Sequence, residues 1–259
     1  MKTPQAPPLP PELDLLFRRM RWPYMRRLAP EICATARAQR WDPAEVLRVL
    51  FLEEIRGRDL ATRTMRRKAA GFPSGKTFDS WRCEDSTIPS PTQQALMTLE
   101  WVGRAENLAI TGPSGTGKTH FCEALGGAAI EKGMRVAWFT LESLTTTMGR
   151  AKVDASVQRA VARICRADLI VIDDIGMLPT GQEAAEAFYR VIDAAYEKRS
   201  VALTSNLHPG GFDTIMPKGL ATPAVDRFLH HAHMVLIDAD TSSIRVAEAM
   251  AGKGVKPLV

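Results

Sequence analysis

The sequence predicts a three-layer α/β domain built on a parallel sheet and preceded by a small all-helical basic domain. Three observations point there. After about residue 101 the chain carries five short apolar runs, "NLAIT", "RVAWFT", "LIVID", "SVALT" and "MVLID", separated by stretches of helical character. One of these runs leads into a complete glycine-rich phosphate-loop pattern. The excess positive charge lies entirely in the first hundred residues, which hold 17 Lys and Arg against 12 Asp and Glu, while the remainder holds 17 against 17.

The apolar runs are continuous, not alternating, as expected of strands buried on both faces, and the helices between them imply right-handed parallel crossovers. Residues 101–259 form this domain. Because "RVAWFT" follows the phosphate loop and precedes the acidic "LIVIDD" run, it predicts an extra strand between those two strands in the sheet.

The first residues, "TPQAPPLPP", hold five prolines in nine positions and little to bury, so residues 1–11 read as a flexible arm. A basic helical domain is expected over 12–71. Leu13, Leu16, Phe17 and Met20 mark one helical stripe. Asp42, Pro43 and Glu45 have the order of a capped helix start, and Gly71 and Pro73 are stop signals. Between them the spacing predicts a helix broken near Gly57, with Leu47, Leu50 and Phe51 facing a core. Arg18, Arg19, Arg21, Arg26, Arg27, Arg56, Arg63, Arg66, Arg67 and Lys68 are the candidate DNA contacts, since cations along a phosphate backbone release condensed counterions. A solvated arginine-rich helix surface would produce the same count.

The 45% hydrophobic and 24% charged composition is ordinary for a soluble globular protein. No apolar run is long enough to span a bilayer and the N-terminus lacks a secretory h-region, so a cytoplasmic location is expected. Cys33, Cys83, Cys122 and Cys165 match no zinc spacing or dense disulfide framework and read as reduced packing residues.

Gly-Lys-Thr occurs twice. A phosphate loop needs a strand feeding a glycine-rich turn that opens a helix, so that backbone N–H groups and the helix N-terminus face the anion. "LAIT" leads into Gly112, Pro113, Ser114, Gly115, Thr116, Gly117, Lys118 and Thr119, and "HFCEALGGAAI", beginning at His120, continues as the helix. These nine residues are the candidate nucleotide contacts, with Lys118 on the β- and γ-phosphates and the Thr119 hydroxyl on Mg²⁺. The copy at residues 75–77 fails the test, because Ala70 stands where the first glycine is required and a charged helix end precedes it. It reads as part of a connector over 72–100, with Phe72, Phe78 and Trp81 docking on neighbouring surfaces and Lys76 a candidate DNA contact.

"ADLIVIDDIGMLP" has the form of a Walker B strand, in which Asp173 holds Mg²⁺ and Asp174 polarises an attacking water. "SVALTSN" ends a further strand with Asn206, which would orient that water or sense the γ-phosphate, or serve only as a turn residue. His230, His231 and His233 are a histidine cluster with no cysteine or carboxylate at metal-ligand spacing nearby in the sequence.

Together "GPSGTGKTH", "LIVIDDIGMLP", "LTSN" and "VDRFLHHAHMV" resemble the AAA+ ATPases of the IstB type, helpers of insertion-sequence transposition, and more distantly the helicase loader DnaC. The resemblance extends to the basic N-terminal region and "GFPSGKTFDSW". It implies an ATP- and Mg²⁺-dependent ATPase that forms homo-oligomers through ATP-bridged interfaces, assembles on duplex DNA and cooperates with the transposase of the same element. It also implies that Arg227 is an arginine finger reaching an adjacent subunit, and that Arg245 in "TSSIRVAE" is similar to a second sensor arginine. A surface arginine paired with Asp226 is the plainer reading of Arg227. Asp174 departs from the glutamate common in AAA+ enzymes, and its shorter reach implies slow hydrolysis. A helicase loader and a metabolic P-loop kinase are the competing readings; a kinase leaves the basic appendage without a role.

Overall fold

Proline opens each of the first three helices, at the position where its missing N–H costs nothing and its backbone angle is already helical: α1 (Pro11–Arg19), α2 (Pro23–Gln39) and α3 (Pro43–Ala70). The computed structural model describes residues 6–176 and 180–237, and these fall into two compact units divided between Met65 and Arg66. In the first unit Phe17, Met25, Ala29 and Leu50 form the buried centre, with Leu9, Leu13, Trp22 and Val46 packed against it. The buried Glu54 carboxylate accepts the N–H groups of Tyr24 at 3.0 Å and Met25 at 2.8 Å, where the positive end of α2 favours an anion.

Several expectations fail in this unit. Leu16, Met20, Leu47 and Phe51 remain about half exposed, because a centre of four buried residues accepts only a narrow stripe from each helix. Leu9 packs on that centre, so the arm is anchored before Pro11. α3 runs unbroken through Gly57, where the Tyr24 ring occupies the space a Cβ would need, 2.1 Å from the ring's Cγ. Glycine there serves close packing.

The second unit contains α4 (Ser90–Met97), α5 (Glu100–Gly103), β1 (Asn107–Thr111), α6 (Lys118–Glu131), β2 (Val136–Thr140), α7 (Leu141–Val153), α8 (Val157–Ile164), β3 (Leu169–Ile175), α9 (Gln182–Ala195), β4 (Ser200–Ser205), α10 (Lys218–Leu229) and β5 (Ala232–Leu236). The five strands are all parallel, in the order β2-β3-β4-β1-β5. Leu108, Ile110, Leu169 and Val171 face α6 and the α4–α5 segment. Ala109, Ile170, Ile172 and Leu203 face α7, α8, α9 and α10. Coverage of both faces is why β1, β3 and β4 read as unbroken apolar runs; the edge strands β2 and β5 are only partly buried, and Leu236 of β5 is exposed.

The inserted strand between β1 and β3 is β4; β2, the "RVAWFT" run, lies at the edge beside β3. Chain order does not dictate sheet order when every connection is a crossover. The division after Met65 has a local cause as well: Arg66 donates to the Gly133 carbonyl and Arg67 pairs with Glu131 at 3.0 Å, so the end of α3 belongs with the sheet unit. Cys122 is buried and Cys165 packs half-buried against the core, as expected of packing residues, whereas Cys83 is exposed. Among the described residues no helix is long and apolar enough to cross a membrane.

Candidate nucleotide site

Three parallel neighbours, β3, β4 and β1, end side by side, and their carboxyl ends bring the chemistry-bearing residues together. β1 passes into the loop Gly112–Gly117, whose Gly115 and Gly117 take φ values of 83° and 86°, a region that glycine enters without steric cost. α6 then starts at Lys118. The Lys118 ammonium donates to the Gly112 carbonyl at 2.8 Å, the Pro113 carbonyl at 2.7 Å and Asn206 Oδ1 at 3.0 Å. The Thr119 hydroxyl donates to Asp173 Oδ1 at 3.0 Å. Two hydrogen bonds therefore gather Lys118 and Thr119 at the start of α6, Asp173 of β3 and Asn206 after β4, three segments distant in the chain, into one group.

Thr204 belongs to this group and was not among the sequence candidates. Its buried hydroxyl donates to Asp173 Oδ1 and accepts the N–H of Asp174 at 3.0 Å. The β3–β4 register shifts by one residue between Ile172 and Ile175, and Asp174 has φ 58°. This bulge turns Asp174 into solvent while Asp173 stays buried, so adjacent carboxylates meet different environments. A threonine one position before the Ser-Asn strand end was the available signal, but only the bulge gives its hydroxyl two partners.

Burial pushes the Asp173 carboxyl up; the Thr204 hydroxyl opposes this, the Asp174 charge adds to it, and the Thr119 hydroxyl opposes it again. A buried carboxylate with a threonine hydroxyl beside it is a hard-oxygen donor pair, which fits Mg²⁺ and would relieve the cost of ionising Asp173. Nitrogen and sulfur donors that would favour a softer ion are absent from this pair.

His120 faces the connector. Its Nε2 lies 3.3 Å from the Thr77 carbonyl and 3.2 Å from Ser80 Oγ, and the Trp81 ring stands edge-on at 5.0 Å. Desolvation lowers its pKa. Phe78 and Trp81 pack on Phe121 at ring separations of 5.7 and 5.2 Å, and Phe72 packs on Trp138 at 5.8 Å. The fully buried Glu123 of α6 accepts the Ser74 N–H at 3.1 Å, the Ser74 hydroxyl at 2.6 Å and the Gly75 N–H. The first Gly-Lys-Thr thus lies along the helix that the second one opens, with no strand before it and a short 3-10 turn, Phe78–Ser80, after it.

Arg227 is not part of the bonded group. It pairs with Asp193 at 3.2 Å, donates to the Pro223 carbonyl at 3.2 Å and stands over the Tyr189 ring at 5.6 Å. Its ion-pair partner is thus Asp193 of α9, not Asp226. Arg245 lies outside the described residues. Among the basic candidates, Arg18 and Arg26 share Asp14 at 2.7 and 3.5 Å, Arg56 pairs with Glu53 at 3.0 Å, and Arg27 lies 6.0 Å from the Tyr24 ring centre. Arg19, Arg21 and Lys68 are exposed. Exposed pairs of this kind contribute little and open readily to a competing phosphate.

The family profile of the IstB-like ATP binding protein matches residues 16–250. The insertion sequence IS21 ATP-binding protein of Pseudomonas aeruginosa is 30% identical over 239 residues, covering 90% of this chain and 89% of its own. An insertion sequence ATP-binding protein of Sinorhizobium fredii is 29% identical over 251 residues, covering 93% and 81%. Among solved structures, AMPPCP-bound DnaA from Aquifex aeolicus superposes with a TM-score of 0.54 at 20% identity, over 71% of this chain and 56% of that one. The DnaC helicase loader superposes with a TM-score of 0.51 at 16% identity, over 64% and 98%. At those identities the two structures show that the fold is shared.

Proposed function

This chain belongs to the IstB-like ATP-binding protein family, and from that premise we propose that it is a helper ATPase of DNA transposition, assembling on duplex DNA through ATP-bridged subunits and acting with the transposase of the same element. The observation that carries the reading is the bonded group of Lys118, Thr119, Asp173 and Asn206 at the strand ends. The relatives' association with insertion sequences supports the transposition context.

In this reading Lys118 exchanges its loop carbonyls for the β- and γ-phosphates, and the loop's backbone N–H groups hold the remaining phosphate oxygens. Thr119 and Asp173 hold Mg²⁺, which supplies charge neutralisation as the phosphate bond breaks. Asp174, exposed at the bulge, orients and deprotonates water, and Asn206 reports the state of the γ-phosphate. Arg227 leaves Asp193 and completes the site of an adjacent subunit. The exposed cations of the helical region meet DNA phosphates without reading bases.

The test uses two variants. Arg227→Ala cannot complete a neighbour's site, and Asp174→Asn cannot activate water, so each alone is expected to be nearly inactive on duplex DNA; an arginine finger is worth about 10³–10⁵ in rate in other nucleotide hydrolases. Mixed on duplex DNA, they should recover hydrolysis at interfaces that pair an intact Asp174 with an intact Arg227. No recovery despite labelled co-assembly removes the shared site. Failure of the wild-type chain to assemble on duplex with ATP, together with binding to a replicative helicase, would favour a loader instead.

A further inference from the structure

Glu197 follows α9 and stands 33 residues before His230, so the sequence does not pair the two. The tertiary structure brings the side chains of Glu197, His230 and His231 together, with one ligating atom of each within 4.8 Å of the others. His231 Nε2 lies 3.6 Å from Glu197 Oε1, and the His230 and His231 rings are 4.0 Å apart. Tyr196 Oη sits 2.7 Å from His230 Nδ1 and its ring stacks on the imidazole. Beside them a surface recess of about 360 Å³ is lined by Tyr196, Asp226, Arg227, Leu229 and His230.

We propose that Glu197, His230 and His231 form a site for a divalent transition ion of the zinc type, separate from the nucleotide site. Two imidazoles and one carboxylate are the donor set of many three-ligand zinc centres, in which water takes the fourth position. Imidazole nitrogen disfavours Mg²⁺ and Ca²⁺, which take oxygen ligands. Zinc with ligand bonds of about 2.0–2.2 Å keeps its donor atoms roughly 3.4 Å apart, so closing on the ion needs shifts of about an ångström in exposed side chains that can rotate.

Tyr196 supplies the orienting contact that metal-bound histidines ordinarily have. With the Nδ1 proton donated to the phenol oxygen, the Nε2 lone pair of His230 is left for the ion. Glu197 holds its position at a backbone φ of 55°, in the tight turn after α9. The ion would tie that turn to the end of α10, three residues after Arg227.

The experiment titrates zinc chloride into the full-length, untagged, metal-free chain by calorimetry, with Mg²⁺ in excess to occupy oxygen-donor sites. One zinc per chain is expected. His230→Ala, His231→Ala and Glu197→Gln should each weaken binding at least about tenfold, and Tyr196→Phe should weaken it less, as an orienting partner does. Zinc should also raise the melting temperature of the wild-type chain and not of the histidine variants. A His233→Ala control, whose imidazole pairs with Glu106 at 2.7 Å, should bind normally. Absence of stoichiometric uptake overturns the site, as does uptake unchanged in any of the three ligand variants. These outcomes are independent of ATP hydrolysis, so they leave the helper reading to its own test.

Discussion

The two Gly-Lys-Thr stretches have the same three residues and opposite fates. At 117–119 the glycine ends a loop fed by a buried strand, the lysine caps that loop's carbonyls and the threonine touches Asp173. At 75–77 the glycine gives its N–H, beside that of Ser74, to the carboxylate of Glu123 in α6. The loop at 75–77 thus holds an anion that is built into the protein. The tripeptide itself therefore carries no function. What decides is the element on either side: a strand and a helix aim successive N–H groups at one point in space, whereas a connector after a helix end spends them on packing.

The largest effect expected from breaking this contrast comes from the lysines. Lys118→Ala should remove productive ATP binding, because no other residue of that loop supplies positive charge to the phosphates, while Lys76→Ala should leave nucleotide affinity unchanged. Equilibrium binding of a fluorescent ATP analogue to both variants decides it, and equal losses would mean that the first stretch also holds nucleotide.

A smaller effect is expected from the contact between the two stretches. Glu123→Ala should cost about 2–3 kcal/mol, since it leaves the Ser74 and Gly75 donors without their charged acceptor in a partly buried place. Trypsin cleavage after Lys76 should accelerate with it. Gly126→Ala is a second route to the same end, because the new Cβ would stand 2.8 Å from Phe72 Cε1. An unchanged cleavage rate in both variants would show that the connector is held by something else.

The smallest effect is electrostatic and lies at the opposite end of β1. Hydrogen bonds from Arg104 and then His233 hold the Glu106 carboxyl down at about 2, against an ordinary 4.5. A depressed carboxyl contributes stability above its unfolded pKa, and that contribution fades as the pH falls from about 4.5 towards 2. Because Arg104 is half exposed, the contribution should be no more than about 1 kcal/mol. Glu106→Gln should therefore flatten the acid side of the melting-temperature profile and leave ATP affinity at neutral pH alone; an equally steep profile would assign that slope to other groups.

Much of the second unit was legible because its signals are local. A strand, a glycine-rich turn and a helix start occupy consecutive residues, so the spacing from Gly112 to Thr119 already contains the geometry of the loop. The apolar runs mark β1, β3 and β4 as buried on both faces for the same reason, while the equally apolar edge strands β2 and β5 are only partly covered. The first unit was less legible: helical periodicity places Leu16, Phe17, Leu47, Leu50 and Phe51 near one another on their helices, yet only Phe17 and Leu50 are buried. How wide a stripe is covered depends on what packs against it, and a three-helix unit has little to offer.

What the sequence determined by itself is the class of the domain, the phosphate loop and the acidic pair, because each depends on backbone geometry over a few residues. Only the tertiary structure decided that β4 lies between the two motif strands, that a bulge separates Asp173 from Asp174, that Thr204 bridges them, that Arg227 rests on Asp193, and that Glu197 meets His230 and His231. Each of these joins residues from different crossovers. Parallel connections carry the chain away from the sheet and return it at a strand position that local spacing does not encode.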